Sequence, residues 1–123
     1  MELNMYGVIR GCLGFVLLVG VGIAHAESRG YMFCEMEVRF YGEDRCEGYV
    51  SNVFYVSSSY DNDVRDDYAD FVNAKYSPDG QVYNVNCEYH ERDTEREAEA
   101  ERLDVISDYK ASSCDVRKVR WHY

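Results

Sequence analysis

Four cysteines, Cys34, Cys46, Cys87 and Cys114, set the tightest limit on what this chain can become. They follow an N-terminal stretch with the make-up of an export leader. Arg10 supplies a positive charge, Gly11–Ala24 is an uncharged and mostly apolar run, and Ala24-His25-Ala26 offers small residues at −3 and −1 for cleavage. The run falls short of the roughly 20 residues that a membrane span needs, so a retained anchor is the weaker alternative. The expectation is therefore a signal peptide over residues 1–26, removed to leave one exported domain over residues 27–123, periplasmic or secreted. Cys12 precedes most of the apolar run and is not placed for lipidation. An even cysteine count in a small exported domain reads as two disulfides, each contributing about 2–4 kcal/mol. Three pairings are open, and the sequence does not choose among them. The competing reading, a zinc site, lacks CxxC or HxxxH spacing. No metal and no cofactor is expected.

The balance of charge narrows the partners. Lys and Arg number 13 against 23 Asp and Glu, a formal net charge of −10. Such a chain disfavours nucleic acid and anionic membrane surfaces, and suits a basic protein.

Along the chain, Tyr31–Tyr41 alternates: Met32, Cys34, Met36, Val38 and Phe40 against Glu35, Glu37 and Arg39. This is the period of a half-buried strand. Gly42–Gly48 reads as a hairpin loop and Tyr49–Ser57, rich in aromatic and β-branched residues, as the second strand. Asp61 or Asn62 can cap a helix running to about Tyr76. Val64, Tyr68, Phe71, Val72 and Lys75 share its apolar stripe, and Asp63, Asp66, Asp67 and Asp70 share a second face. Ser77-Pro78-Asp79-Gly80 is a turn. Val82–His90 alternates again, with Cys87 on its apolar side. Thr94-Glu95-Arg96-Glu97 is a capping box opening a second helix whose stripe is Ala98, Arg102, Val105, Ile106 and Tyr109. Arg102 within that stripe either snorkels or pairs with a carboxylate on the sheet. Cys114–Tyr123 reads as the last strand, inside the sheet, with Arg120 and Lys118 facing Glu35, Glu37 or Glu88. Its period slips between Val116 and Val119, which suggests a bulge. The expected fold is α+β: one sheet of about four strands in the order β-β-α-β-α-β, both helices on one face, stabilised by disulfides.

Tyr49-Val50-Ser51-Asn52-Val53-Phe54, the helix end at Phe71…Lys75-Tyr76, Cys87, the helix around Ala98 and Ala100, and the closing Val119-Arg120-Trp121-His122-Tyr123 together resemble a group of small exported, cysteine-containing proteins of unknown function from Gram-negative bacteria. The likeness covers most of residues 49–123. It implies export, a bacterial source and the domain boundary, and carries no activity. The order of elements is also similar to ferredoxin-like and SPOR-like sandwiches, a likeness of fold alone.

Enzyme chemistry finds few parts. His90 and His122 are the histidines of residues 27–123, each near a strand end, and no G-x-S-x-G nucleophile turn is present. Asp61-Asn62-Asp63 resembles the start of a calcium loop, but Arg65, Asp66 and Val72 stand where a ligand, glycine and glutamate would be needed. The expectation is a binding protein and not an enzyme. It would dock a basic exported protein, in the manner of an inhibitor or immunity protein, with Asp63, Asp66, Asp67 and Asp70 as the docking edge. A solvated acidic face is the plainer account of those four. The alternative function is a SPOR-like module that binds cell-envelope glycan.

Overall fold

The computed structural model describes residues 27–87 and 91–123, and the side chains of residues 27, 28 and 58–61 are outside that description. The leader expected over residues 1–26 and the residues Glu88 and His90 also lie outside it. The elements run β1 (Glu27–Met32), β2 (Glu35–Arg39), β3 (Cys46–Ser51), β4 (Phe54–Tyr60), α1 (Asp61–Tyr76), β5 (Gln81–Asn86), α2 (Glu95–Ala111) and β6 (Cys114–Val119). The class is α+β, with a four-stranded sheet in the order β5-β2-β3-β6 and a two-stranded sheet of β1 and β4.

The two sheets are halves of one long, bent hairpin. β2 and β3 pair antiparallel with Glu35 opposite Val50, and β1 and β4 continue with Met32 opposite Phe54. Between these pairs the register slips by one residue, so Asn52 and Val53 together face Phe33. A bulge of this kind bends a strand. It explains why the two single strands expected over Tyr31–Tyr41 and Tyr49–Ser57 are each broken in two. The bend carries its own hydrogen bonds. The Ser51 amide donates to the Cys34 carbonyl at 2.9 Å, and the Cys34 amide donates to Ser51 Oγ at 2.8 Å. The Ser51 carbonyl accepts from Arg102 Nε on α2 at 2.7 Å. Arg102 thus takes neither expected role: it holds a backbone carbonyl of the bend and pairs with Glu99 on its own helix at 3.0 Å.

The expected placement of both helices on one face is corrected. Val64, Tyr68 and Val72 of α1 pack with Met36, Val38, Tyr49 and Val119, while Ile106 and Tyr109 of α2 pack with Phe33, Val50 and Cys114. Neighbouring β3 residues Tyr49 and Val50 point to opposite sides and are both buried, at 2 % and 0 % exposure. A strand apolar on both faces needs cover on both.

β6 is likewise corrected from an interior strand to an edge. It lies parallel to β3, with Cys46 opposite Cys114 through Ser51 opposite Val119, and that register is continuous, without the expected bulge. The period slip has another cause: Val116 belongs to the α2 side and Val119 to the α1 side. β5 stands at the far edge, so the β5-α2-β6 crossover does not make neighbours.

Two disulfides fasten these edges. Cys34–Cys87 continues the β2/β5 ladder and Cys46–Cys114 joins register partners of β3 and β6. Each ties an edge strand to its interior neighbour, on opposite faces and at opposite ends of the sheet.

Candidate functional site

A groove of about 600 Å³ opens on the α2 side, between the β2–β3 loop and the C-terminal half of α2. Its wall is built by simple alternation. Glu35, Glu37 and Arg39 project from β2 to the face opposite Met36 and Val38, where α2 covers only part of the sheet. Glu43, Asp44 and Arg45 come from the loop, and Val105, Asp108 and Tyr109 from α2. The Cys46–Cys114 disulfide, flanked by Val105, lies along the wall.

Five carboxylates meet two guanidinium groups here, and both guanidinium groups are engaged. Arg39 pairs with Glu37 at 2.6 Å and Arg45 with Glu43 at 3.7 Å. They also stack, Arg39 on the Tyr83 ring at 3.6 Å and Arg45 on Phe40 at 3.8 Å. Glu35 accepts the Tyr109 hydroxyl at 2.6 Å. Among the described residues no ion pair neutralises Asp44 or Asp108. Asp108 also sits in the last turn of α2, where the helix dipole adds negative potential instead of relieving it. Burial, then the bond to Glu35, holds the Tyr109 hydroxyl far above its ordinary pKa, so it stays a donor fixed on Glu35. The groove can attract and grip cations.

Asp63, Asp66, Asp67 and Asp70 are all exposed on α1, as their spacing indicates. α1 packs on the opposite face of the sheet, so the structure does not bring them into the groove. Arg65 contacts Asp66 at 4.0 Å. The cross-strand partners expected for Arg120 and Lys118 are corrected too: β3 separates β6 from β2, Glu35 and Glu37 are engaged as above, and it is Arg117 that meets Glu47, at 3.4 Å. Glu88 is not described, and His122 is exposed. The groove residues were readable as an outward face of β2. Their convergence with Asp108 was not, because it depends on which face α2 covers.

At the loop end of β5 a second, more apolar hollow of about 460 Å³ is lined by Arg39, Phe40, Tyr41, Gln81, Val82 and Tyr83. No helix among the described residues is long and apolar enough to cross a membrane. No protein-family model, curated protein or solved structure matches the chain.

Proposed function

We propose that this protein is a periplasmic or secreted binding protein that docks a basic protein partner, in the manner of an inhibitor or immunity protein, and is not an enzyme. The observation that carries the reading is the groove, where Glu35, Glu37, Glu43, Asp44 and Asp108 converge while Arg39 and Arg45 are already paired. A cationic side chain entering it would meet Asp44 and Asp108, which no ion pair among the described residues neutralises, and carboxylates are the groups that arginine recognises best. The net charge of −10 would steer such a partner in from a distance. The two disulfides suit a non-reducing compartment, and the resemblance to small exported proteins supports a signal peptide over residues 1–26.

The test begins with capture of exported basic proteins on the immobilised protein, followed by association rates across a salt series. Two triple variants separate the acidic surfaces: Glu43→Gln, Asp44→Asn and Asp108→Asn in the groove, and Asp66→Asn, Asp67→Asn and Asp70→Asn on α1. The groove variant is expected to associate more slowly and with a shallower salt dependence, while the α1 variant binds as the parent does. The reverse outcome returns docking to the α1 stripe. If both variants bind unchanged at every salt concentration, docking by charge is wrong. The glycan alternative draws less support: Tyr41 and Tyr83 are exposed, but they sit at one end of the sheet, and Arg39 already occupies one face of the Tyr83 ring.

A further inference from the structure

The two disulfides differ in what can reach them. Cys34 and Cys87 are both wholly buried, at 0 % exposure, in the cluster that holds Met32, Met36 and Phe54. Cys46 is half-buried, Cys114 keeps 8 % of its surface, and both line the acidic groove. Thiol–disulfide exchange needs an attacking thiolate to reach a sulfur, so access ranks the two bridges. Docking by charge calls only on the carboxylates of the groove and leaves this bond without a role.

The field around the accessible bond is unbalanced. Glu35, Glu37, Glu43, Asp44 and Asp108 share the groove with Arg39 and Arg45 alone. An attacking thiolate is itself an anion, so the excess of carboxylates repels a thiol whose body is neutral or acidic. A thiol on a cationic body has that repulsion offset before it arrives. The bond also spans the groove. Cys46 directly follows Glu43, Asp44 and Arg45 of the loop, and Cys114 follows the end of α2, which carries Asp108. Cys114 opens β6, an edge strand whose neighbour in the sheet is β3.

We propose that the Cys46–Cys114 bridge is a thiol–disulfide exchange site whose reductant is a dithiol on a cationic carrier. A thiolate of the carrier attacks the sulfur of Cys46, the more exposed of the pair. The Cys46–Cys114 bond breaks, a mixed disulfide forms on Cys46, and Cys114 leaves as a thiolate that takes a proton from water. The second thiol of the carrier, deprotonated, attacks the carrier's sulfur in that mixed disulfide. The carrier departs as a disulfide, and Cys46 leaves as a thiolate and is protonated. Two electrons and two protons pass from carrier to protein, while Cys34–Cys87 stays closed. The product has lost the covalent tie between the two walls of the groove and keeps the tie between β2 and β5.

Small thiols test this, whether or not a basic protein docks in the groove. The full disulfide-bonded protein is treated at low ionic strength with limiting cysteamine, 2-mercaptoethanol or 2-mercaptoethanesulfonate, which are cationic, neutral and anionic. Alkylation and peptide mass mapping then locate free thiols and mixed disulfides. Cys46 and Cys114 are expected to react while Cys34–Cys87 stays intact, with the added thiol on Cys46. The ratio of the cysteamine rate to the sulfonate rate is expected to fall about tenfold when Glu43→Gln, Asp44→Asn and Asp108→Asn are combined. High salt should lower it similarly in the parent, a measurement that needs no variant. The α1 variant with Asp66→Asn, Asp67→Asn and Asp70→Asn removes as much charge elsewhere and should keep the parent's ratio. Reduction of Cys34–Cys87 as fast as Cys46–Cys114 overturns the proposal. So does a ratio indifferent to the groove variant and to salt, or one lowered equally by the α1 variant. Failure to capture a basic protein would end the docking reading and leave these outcomes as they stand.

Discussion

The ring of Tyr109 lies flat against Gly48: a Cβ added to Gly48 would stand 2.8 Å from the ring carbons. No real side chain tolerates that approach. The glycine that looks like loop punctuation in the sequence is therefore the seat of an α2 side chain. Gly48→Ala is expected to lift Tyr109 off the sheet, break its bond to Glu35 and cost about 1–3 kcal/mol. Tyr109→Phe keeps the seat and loses the bond to a carboxylate, at about 1–2 kcal/mol. Denaturant titrations of the two variants rank them, and equal losses would mean that the contact with Gly48 carries no energy of its own.

Ser51 is wholly buried at the bend of the hairpin, where its hydroxyl accepts from the Cys34 amide and donates to the Asn52 carbonyl. Ser51→Ala leaves a buried amide without its partner and is expected to cost about 1–3 kcal/mol. Ser51→Thr keeps the oxygen and should lose less. Thermal melts in oxidising buffer provide the comparison.

Alkaline stability should depend on buried tyrosines. Burial, then the hydrogen bond to Glu47, pushes Tyr49 up to about 12. Burial is also the leading cause that holds Tyr68 and Tyr109 well above the ordinary value. A hydroxyl whose pKa is raised by folding stabilises the native state fully below about pH 10, the unfolded value. That contribution is lost as pH rises through the folded value. Stability should thus be flat, as far as these groups are concerned, up to about pH 10 and fall above it. Ultraviolet titration of residues 27–123 should show three of their eleven tyrosines ionising late, together with unfolding. Early, uniform ionisation of all eleven would contradict their burial.

Each disulfide closes a long stretch of chain, with separations of 53 and 68 residues. Chain entropy alone assigns about 4 kcal/mol to either one, less when both are present because the loops overlap. Replacing Cys46 and Cys114 by alanine should release β6 and with it Trp121, whose amide donates to Asn52 Oδ1 and whose ring packs with Phe54 at 5.3 Å and Tyr68 at 5.2 Å. Trp121 is the sole tryptophan, so a red-shifted emission reports that release directly. The native protein from cells should contain no alkylatable thiol before reduction, and its intact mass should correspond to residues 27–123.

Much of this fold was legible because its signals are local. The alternation about Met36 and Val38, the stripe of Val64, Tyr68 and Val72, and the Thr94 cap each depend on near neighbours. The Thr94 hydroxyl does accept the Glu97 amide, at 3.1 Å. What escaped the sequence depends on distant partners. The polar start of β1 gave no apolar period. The bend at Asn52-Val53 hid within a run of good strand residues. The two-sided burial of β3 reads as ordinary strand preference, so the sequence points to both helices on one face and hides the groove that α2 helps to form on the other. Arg102 looked misplaced for the same reason, since its partner is a backbone carbonyl that only the bend exposes.

The two disulfides interleave: Cys46 lies between Cys34 and Cys87, and Cys87 lies between Cys46 and Cys114. Cut the backbone once anywhere from Cys34 to Cys114 and at least one bridge still spans the break. Proteases attack exposed loops first, and residues 41–45 are such a loop. A single nick there leaves one covalent molecule, with both edge strands still sewn to the sheet. The fold can thus outlast the first cleavage and fall apart only at a second one or on reduction.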